Sequence, residues 1–234
     1  MKIVDNLVLN DQFVDLKHRV FFLRLETNDE DISNTIYTVF NKLLDLSWLD
    51  KFTNESIRKG FEKSANDTIN YLKGKLFRDN DKVTSDTGEY IVSVLSKDAL
   101  VNNYGHESIP LAELLGRKVS NNPSYDFYTI DNNIFVLGEA KYKSDINAYG
   151  SSLNQIAEFI CKEKHISDIP LLFHFSNEET LNNLSNHIFH ICAAFSTTDI
   201  KTDVLINNIL TNKRFLELSQ EKDVFLVAVN LYEK

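Results

Sequence analysis

The stretch PSYDFYTIDNNIFVLGEAK, residues 123–141, predicts two neighbouring β-strands joined by a tight turn. Asn132 and Asn133 tolerate the positive φ angles that a two-residue hairpin turn requires. With that turn, Asp126 falls directly opposite Glu139, and the two Cβ atoms lie roughly 5 Å apart. A three-residue turn would instead set Asp126 opposite Gly138 and turn Glu139 to the other face of the sheet.

The polar residues of this hairpin suit a metal site. Side chains alternate along a strand, so Glu139 and Lys141 project to the same side. Two close carboxylates repel each other unless a cation lies between them. Mg²⁺ binds to one or two carboxylates and often keeps water and substrate phosphate as further ligands, and the carbonyl of Ala140 could add another ligand. Lys141 could orient the attacking water, so the pattern favours hydrolysis of a phosphodiester with Mg²⁺ or Mn²⁺ as cofactor.

A structural interpretation of the same residues stays open at this point. Asp, Glu and Lys side chains near each other can form a surface salt-bridge cluster that contributes about 0–1 kcal/mol. Lysine is also common on edge strands, where it discourages aggregation. The pattern Glu-x-Lys is weak by itself, although it occurs once in this chain and follows an upstream Asp and a turn.

Three motifs resemble those of a known family of nucleases. They are Thr87-Gly-Glu89 at the start of an amphipathic helix, Ser124-Tyr-Asp126, and Gly138-Glu-Ala-Lys-Tyr142. An Asp, a turn and then Glu-x-Lys on an apolar strand resembles the PD-(D/E)xK nuclease signature. Together, the motifs resemble the HamA-like family, the nuclease subunits of the Hachiman antiphage system. The similarity runs from about residue 85 to residue 159, and Ser124-Tyr125 stands where that family would have a glycine and another residue.

The resemblance implies a fold, a set of roles and a partner. The implied fold is α/β, a mixed central sheet flanked by helices, with a restriction-endonuclease-like core ordered helix, three antiparallel strands, helix, strand. Asp126 and Glu139 would be metal ligands, Lys141 the catalytic lysine, and Glu89 an acidic residue near the metal. Members of the family act with a helicase encoded beside them, which implies DNA and a helicase subunit as partners.

Two helices flank the hairpin in the predicted order. The first covers Asp86–Asn102 and carries Glu89 in its first turns, where a carboxylate also favours the helix dipole without any metal. The second covers Asp145–Lys164, with an apolar stripe that should face the sheet. Gln155 borders that stripe, and some nucleases of the superfamily use a glutamine there; a solvated glutamine is the simpler interpretation.

The rest of the chain predicts further strands and helices and no linker. We divide it into an N-terminal elaboration, residues 1–80, and a nuclease-like core, residues 81–234. The predicted strands are Met1–Asn10, His18–Glu26, Ile169–Phe175 and Val224–Tyr232. The predicted helices are Asp29–Leu49, Asn54–Lys75, Glu178–Phe195 and Ile200–Ser219. The third would place His187 and His190 on one helical face, which could suit a metal, but no acidic or cysteine partner is evident and a satisfied pair is the simpler interpretation.

Composition bounds the classes of protein that fit. The chain has 234 residues, 43% hydrophobic and 25% charged, which is typical of a globular domain. Neither a membrane span nor a signal peptide is predicted, and the two cysteines, Cys161 and Cys192, are expected to be buried, reduced thiols in helices of a cytoplasmic protein. No glycine-rich phosphate loop occurs, so we expect no nucleotide cofactor. The net charge of −9 opposes unaided DNA binding, because DNA affinity depends largely on lysine and arginine.

The sequence therefore predicts a metal-dependent DNA endonuclease or nickase in a helicase-coupled antiphage complex. The alternative is a catalytically silent adaptor that keeps the nuclease fold and regulates the helicase.

Overall fold

The computed structural model describes residues 2–11, 16–27, 32–76, 85–116 and 124–231. Within these ranges the strands are β1 Lys2–Val8, β2 Val20–Glu26, β3 Glu107–Ser108, β4 Phe127–Asp131, β5 Ile134–Lys141, β6 His190–Thr197 and β7 Val224–Asn230. The α-helices are α1 Ile32–Leu44, α2 Glu55–Leu76, α3 Ser85–Tyr104, α4 Tyr149–Cys161, α5 Lys164–Leu172, α6 Glu178–Ser185, α7 Thr202–Leu210 and α8 Lys213–Ser219. The protein is therefore α/β, as the sequence predicts.

All seven strands belong to one mixed sheet, in the order β1-β2-β7-β6-β5-β4-β3. The four central strands, β2, β7, β6 and β5, are parallel. Antiparallel pairs close the sheet at both edges, β1 with β2 on one side and β5, β4 and β3 on the other. Because β2 pairs with β7 along its whole length, the strands of the predicted N-terminal elaboration continue the same sheet.

Helices cover both faces of the sheet and bury a separate apolar cluster on each. On one face, α1, α2 and α3 pack against a cluster that includes Leu95, Val136 and Val227. On the other face, α4 to α8 pack against a cluster that includes Leu137 and Leu226. The strand residues divide between the clusters by alternation, as in β7, where neighbouring side chains face opposite helices. Because the central strands are buried on both faces, their sequences are nearly continuous apolar runs.

The hairpin between β4 and β5 has the predicted two-residue turn. Asn132 and Asn133 have φ angles of 48° and 63°, which a type I′ turn requires at both central positions. Asp131 pairs with Ile134, and the pairing continues to Phe127 opposite Gly138. The even register is therefore confirmed from the turn as far as Phe127 and Gly138.

Two elements beyond the hairpin were predicted with the wrong structure. The segment Ile169–Phe175, predicted as a strand, continues helix α5 to Leu172. The segment Glu178–Phe195, predicted as one helix, contains α6 and then β6, with a turn between them where His187 has a φ of 60°. Ile169–Phe175 and the end of the second segment, Ile188–Phe195, are short apolar runs, whose periodicity does not separate a buried helix from a buried strand.

Smaller differences lie at helix and strand ends. The predicted helix Ile200–Ser219 is two helices, because Asn212 begins α8 by accepting hydrogen bonds from the backbone of Arg214 and Phe215. The helix predicted over Asp29–Leu49 ends at Leu44, and its residues 29–31 lie outside the described ranges. Met1 and Tyr232, predicted as strand residues, also lie outside them.

Candidate active site

Glu139 and Lys141 lie at the carboxyl end of β5, on the face covered by α4. Glu139 is buried, with 1% of its surface exposed. Its Oε1 atom lies 2.8 Å from Lys141 Nζ, and the lysine side chain is 17% exposed. The two residues therefore form a nearly buried ion pair on one side of the strand, as the alternation predicts.

The carboxylate of Glu139 is poorly compensated. Among the described residues, neither of its oxygen atoms accepts a hydrogen bond, and the contact with Lys141 is an ion pair outside hydrogen-bond geometry. Burial raises the pKa of Glu139 well above its ordinary value, and the negative charge of Asp126 raises it further against the attraction of Lys141. A buried carboxylate without hydrogen-bond donors is rare, because its desolvation costs several kcal/mol.

Asp126 lies at a break in the pairing of β4 with β5. The backbone N–H of Asp126 donates a hydrogen bond to the carbonyl of Gly138 at 2.9 Å, although Phe127 is already the ladder partner of Gly138. Tyr125 and Tyr128 both lie in the cluster under α4, so the alternation of faces is interrupted between them. This irregularity is a β-bulge, which re-aims side chains at a strand end.

The bulge changes the expected position of Asp126. Instead of a regular cross-strand pair with Glu139, the Asp126 carboxylate accepts a hydrogen bond from the backbone N–H of Ala140, with a distance of 2.8 Å to Oδ2. The prediction of direct opposition was therefore wrong in detail, because it assumed an uninterrupted ladder. Asp126 still lies close enough to raise the pKa of Glu139 by its charge.

Glu89 reaches the site from the opposite layer. It lies in the first turns of α3, and its Oε1 atom is 3.5 Å from Lys141 Nζ. The preceding residue, Gly88, lies against the ring of Tyr142, and a Cβ atom there would lie 2.1 Å from Tyr142 Cγ. A side chain at residue 88 would push α3 away from the end of β5, so the glycine holds Glu89 beside Lys141.

Lys141 is surrounded by carboxylates. Burial alone lowers the pKa of an ammonium group, but the charges of Glu139, Asp126 and Glu89 outweigh that effect and raise the pKa of Lys141. The lysine is therefore protonated at neutral pH. It can donate hydrogen bonds or neutralise negative charge, but it cannot act as a general base there.

Gly138 has a packing role that the sequence did not reveal. A Cβ atom at this position would lie 2.3 Å from the ring of Phe127, directly across the hairpin. On the α3 face of the sheet, the ring of Phe127 therefore occupies the space that a side chain at residue 138 would need. The small residue before Glu139 is needed for close packing at the point where the bulge begins.

A second buried carboxylate, Asp168 on α5, was also missed. Its Oδ2 atom accepts hydrogen bonds from the hydroxyls of Ser124 and Tyr128, at 2.8 and 2.7 Å. Ser124 therefore ties the start of the hairpin to α5, which gives a structural reason for serine at a position where the resemblance implies another residue. The hydroxyl of the neighbouring Tyr125 is buried and has no hydrogen-bond partner among the described residues.

A side-chain hydrogen bond joins helix α4 to β5. The hydroxyl of Ser152 donates a hydrogen bond to the carbonyl of Glu139 at 2.8 Å. Gln155 is half-buried one turn further along the helix. The predicted roles of Gln155 and of the Ala140 carbonyl stay predictions. In the described ranges, no group of three or more His, Cys, Asp or Glu side chains is arranged to hold a metal ion.

Two other sequence expectations were wrong. His187 lies in a turn and His190 begins β6, so they do not share a helical face; His190 instead lies 3.9 Å from Asp223 Oδ2. Cys161 ends α4 and is exposed, whereas Cys192 is buried in β6, where burial raises the pKa of its thiol. The error for the histidines follows from treating residues 178–195 as one helix. The error for Cys161 follows from assuming that an apolar context means burial.

Comparisons of the chain with protein-family models, with curated proteins and with solved structures find no match. None of the helices in the described ranges is long and apolar enough to cross a membrane.

Proposed function

We propose that the protein is a metal-dependent nuclease that hydrolyses phosphodiester bonds in DNA at the site formed by Asp126, Glu139 and Lys141. The observation that carries this proposal is the buried carboxylate of Glu139, whose charged partner among the described residues is Lys141. It is buried, accepts no hydrogen bond from the described residues, and lies near a second carboxylate. A folded protein keeps such a costly arrangement most readily where a ligand completes it.

The charge and the oxygen donors of these residues suit a divalent cation. The buried oxygens of Glu139 lack donors, and Asp126 supplies further negative charge nearby, so a cation would relieve both burial and repulsion. Hard oxygen donors of this kind favour Mg²⁺ or Mn²⁺. Glu139 and Asp126 would hold the ion, with the Ala140 carbonyl as a further oxygen ligand. The cation would supply electrostatic stabilisation of the phosphate as negative charge develops on it.

The side chains of the site then have separate tasks. Lys141, held protonated by three carboxylates, donates hydrogen bonds to the attacking water or neutralises charge on the phosphate. Glu89 holds the ammonium group from the other side, at 3.5 Å. The hydrogen bond from the Ala140 amide fixes the carboxylate of Asp126 against β5. Glu139 and Lys141 lie on a strand and Glu89 lies on a helix, whereas Asp126 directly precedes β4 at the bulge. This placement favours a preorganised site.

The order of elements supports the same proposal. Helix α3 is followed by the antiparallel strands β3, β4 and β5, then by α4 and later by β6, which lies parallel to β5. This order agrees with the core that the resemblance to PD-(D/E)xK nucleases implies. The resemblance also supports a place in an antiphage complex with a helicase, and a partner that delivers the strand would offset the net charge of −9.

The test is nicking of supercoiled plasmid with Mn²⁺ or Mg²⁺, by the protein alone and with a helicase that copurifies from the native host. Glu139→Gln and Lys141→Met should each reduce the rate at least about a hundredfold, and Glu89→Gln by less. The surface pair Glu158 and Lys162 on α4 supplies matched controls, because both side chains are more than half exposed. Glu158→Gln and Lys162→Met should leave the rate unchanged.

Equal nicking by Glu139→Gln and the unaltered protein would remove this residue from the mechanism. If no protein nicks the plasmid, but the helicase binds and its activity changes, the adaptor function replaces the nuclease.

A further inference from the structure

The bulge before β4 brings Tyr125 next to Glu139. At the bulge, Asp126 and Phe127 both lie opposite Gly138. Counting one residue further on each strand therefore brings Tyr125 opposite Glu139, the position that the sequence predicts for Asp126. Side chains that oppose each other on antiparallel strands have Cβ atoms about 4.5–5.5 Å apart.

Both side chains lie on the α4 side of the sheet. Tyr125 belongs to the apolar cluster on that side, and the centre of its ring lies 5.2 Å from that of Phe159 on α4. Glu139 follows two residues after Leu137, which belongs to the same cluster. Burial raises the pKa of Tyr125, and the charges of Asp168 and Glu139 raise it further, so both carboxylates lie near its hydroxyl.

The hydroxyl of Tyr125 and the carboxylate of Glu139 are both buried without a hydrogen bond. Tyr125 is 0% exposed and Glu139 is 1% exposed. Within the part of the chain that the structure describes, the hydroxyl has no hydrogen-bond partner and neither oxygen of Glu139 accepts a hydrogen bond. Unsatisfied buried polar groups are rare, because the cost of removing them from water is not recovered. An unused donor and an unused acceptor thus lie on neighbouring residues.

Asp168 is the other carboxylate near this hydroxyl, and it already has donors. The hydroxyls of Ser124 and Tyr128 both donate to its Oδ2 atom. Glu139 instead contacts the ammonium group of Lys141 at 2.8 Å, outside hydrogen-bond geometry. Of the two carboxylates, Glu139 therefore has the greater unused capacity to accept.

We propose that Tyr125 is a positioning residue of the candidate active site, and that its hydroxyl donates a hydrogen bond to Glu139 when that carboxylate holds the divalent cation. The inference rests on the proposed function. Carboxylates that bind metal ions are in turn held by hydrogen bonds, and loss of such a bond lowers metal affinity about 10–100-fold. A hydrogen bond to an ionised carboxylate is also roughly twice as strong as one between neutral groups. The hydroxyl would thus hold Glu139 in the orientation that binds the ion.

The test measures binding of Mn²⁺ alone to the full chain, from the electron paramagnetic resonance signal of the free ion. Tyr125→Phe should raise the Kd for Mn²⁺ at least about tenfold and leave the Tm without metal nearly unchanged. In the plasmid assay, the Mn²⁺ concentration that gives half the maximal rate should rise by the same factor. The rate at saturating Mn²⁺ should change by less than about twofold, because the variant keeps every group that contacts the ion or the phosphate.

Tyr128→Phe is the matched control. It removes the same atom from a neighbouring ring on the same side of the sheet, where the hydroxyl donates to Asp168. This variant should have a lower Tm than the unaltered protein and the same Kd for Mn²⁺. Glu139→Gln, which removes the proposed ligand itself, should abolish Mn²⁺ binding at this site.

Loss of Mn²⁺ binding in Glu139→Gln together with an unchanged Kd in Tyr125→Phe would overturn the role of Tyr125 and leave the proposed nuclease in place. An equal rise of the Kd in both tyrosine variants would also overturn that role, because it would reflect a general loss of packing. If the unaltered protein binds no Mn²⁺, the inference and the proposed metal site fail together. The expected pattern of binding in a protein that never nicks DNA would sustain the role of Tyr125 and reject the nuclease.

Discussion

Two buried carboxylates on the same side of the sheet have opposite environments. Asp168 on α5 and Glu139 on β5 are each 1% exposed. Asp168 accepts hydrogen bonds from the hydroxyls of Ser124 and Tyr128. Glu139 accepts none from the described residues and contacts Lys141 as an ion pair. Both carboxylates lie on the α4–α8 face of the sheet, so the difference lies in their partners and not in their depth.

The comparison shows that burial of an acid does not by itself mark a functional site. Asp168 is buried and satisfied, which is the usual state of an interior carboxylate, and it explains how α5 is attached to the hairpin. Glu139 is buried against the ammonium group of Lys141, and no other described group donates a hydrogen bond to its two oxygens. The missing hydrogen bonds distinguish the candidate active site from a structural ion pair.

The largest expected effect is the loss of stability when Asp168, the hydrogen-bonded buried acid, is replaced. Asp168→Ala removes the acceptor of the Tyr128 and Ser124 hydroxyls, so we expect the free energy of unfolding to fall by about 3 kcal/mol. Chemical denaturation monitored by circular dichroism would measure this loss. Residual activity, corrected for the folded fraction, should be unaltered. A variant as stable as the unaltered protein would show that Asp168 is not a structural acid.

The next largest expected effect is the stabilisation of the protein by a metal ion bound at Glu139. A ligand that binds the native state stabilises it by about 2.7 kcal/mol at a hundred times its Kd, so Mn²⁺ should raise the Tm of the unaltered protein. The same titration should not change the Tm of Glu139→Gln, whereas Glu158→Gln on the surface should respond like the unaltered protein. A Tm that is insensitive to millimolar Mn²⁺ would contradict a preformed cation site.

The sequence predicts the hairpin better than it predicts the site. Asparagine at positions 132 and 133 fixes a two-residue turn through backbone sterics, and the register to Phe127 follows from it. The bulge at Asp126 could not be predicted in this way. At the bulge the ring of Phe127 packs over Gly138, and Tyr125 packs against Phe159 of α4, a contact with a residue far along the chain.

The alternation of side chains correctly places Lys141 beside Glu139, because both lie on one strand. The approach of Glu89 depends on the packing of α3 against Tyr142, which the motif alone does not determine. The donors of Asp168 come from residues 40 and 44 positions away, and no local pattern indicates them. Local signals thus predicted the strand, and tertiary packing completed the arrangement around it.

A smaller difference in stability is expected between substitutions of Tyr125 and Tyr128, whose rings are neighbours in the fold. Tyr128→Phe removes a hydroxyl that donates to Asp168, and we expect a loss of about 1.5–2 kcal/mol in the free energy of unfolding. Tyr125→Phe removes a buried hydroxyl without a partner among the described residues, and should change stability by roughly 0–0.5 kcal/mol in either direction. Equilibrium denaturation of both variants compares them under one condition. Equal losses would mean that Tyr125 has a partner outside the described ranges.

The smallest expected effect is the dependence of stability on pH at Glu139. Burial is the chief cause that raises the pKa of Glu139 in the folded state. Above the ordinary pKa of a glutamate, the folded protein therefore holds the proton of this carboxyl group more tightly than the unfolded chain does. The contribution of Glu139 to stability therefore falls as pH rises from about 4.3 towards the folded pKa. Glu139→Gln cannot ionise, so without metal its stability relative to that of the unaltered protein should rise by about 1 kcal/mol between pH 5 and pH 7. Mn²⁺ should reduce this rise, because only the ionised carboxylate would bind the ion and stabilise the unaltered protein at pH 7. Identical pH profiles for the two proteins would mean that Lys141 fully compensates Glu139, and the contrast with Asp168 would then disappear.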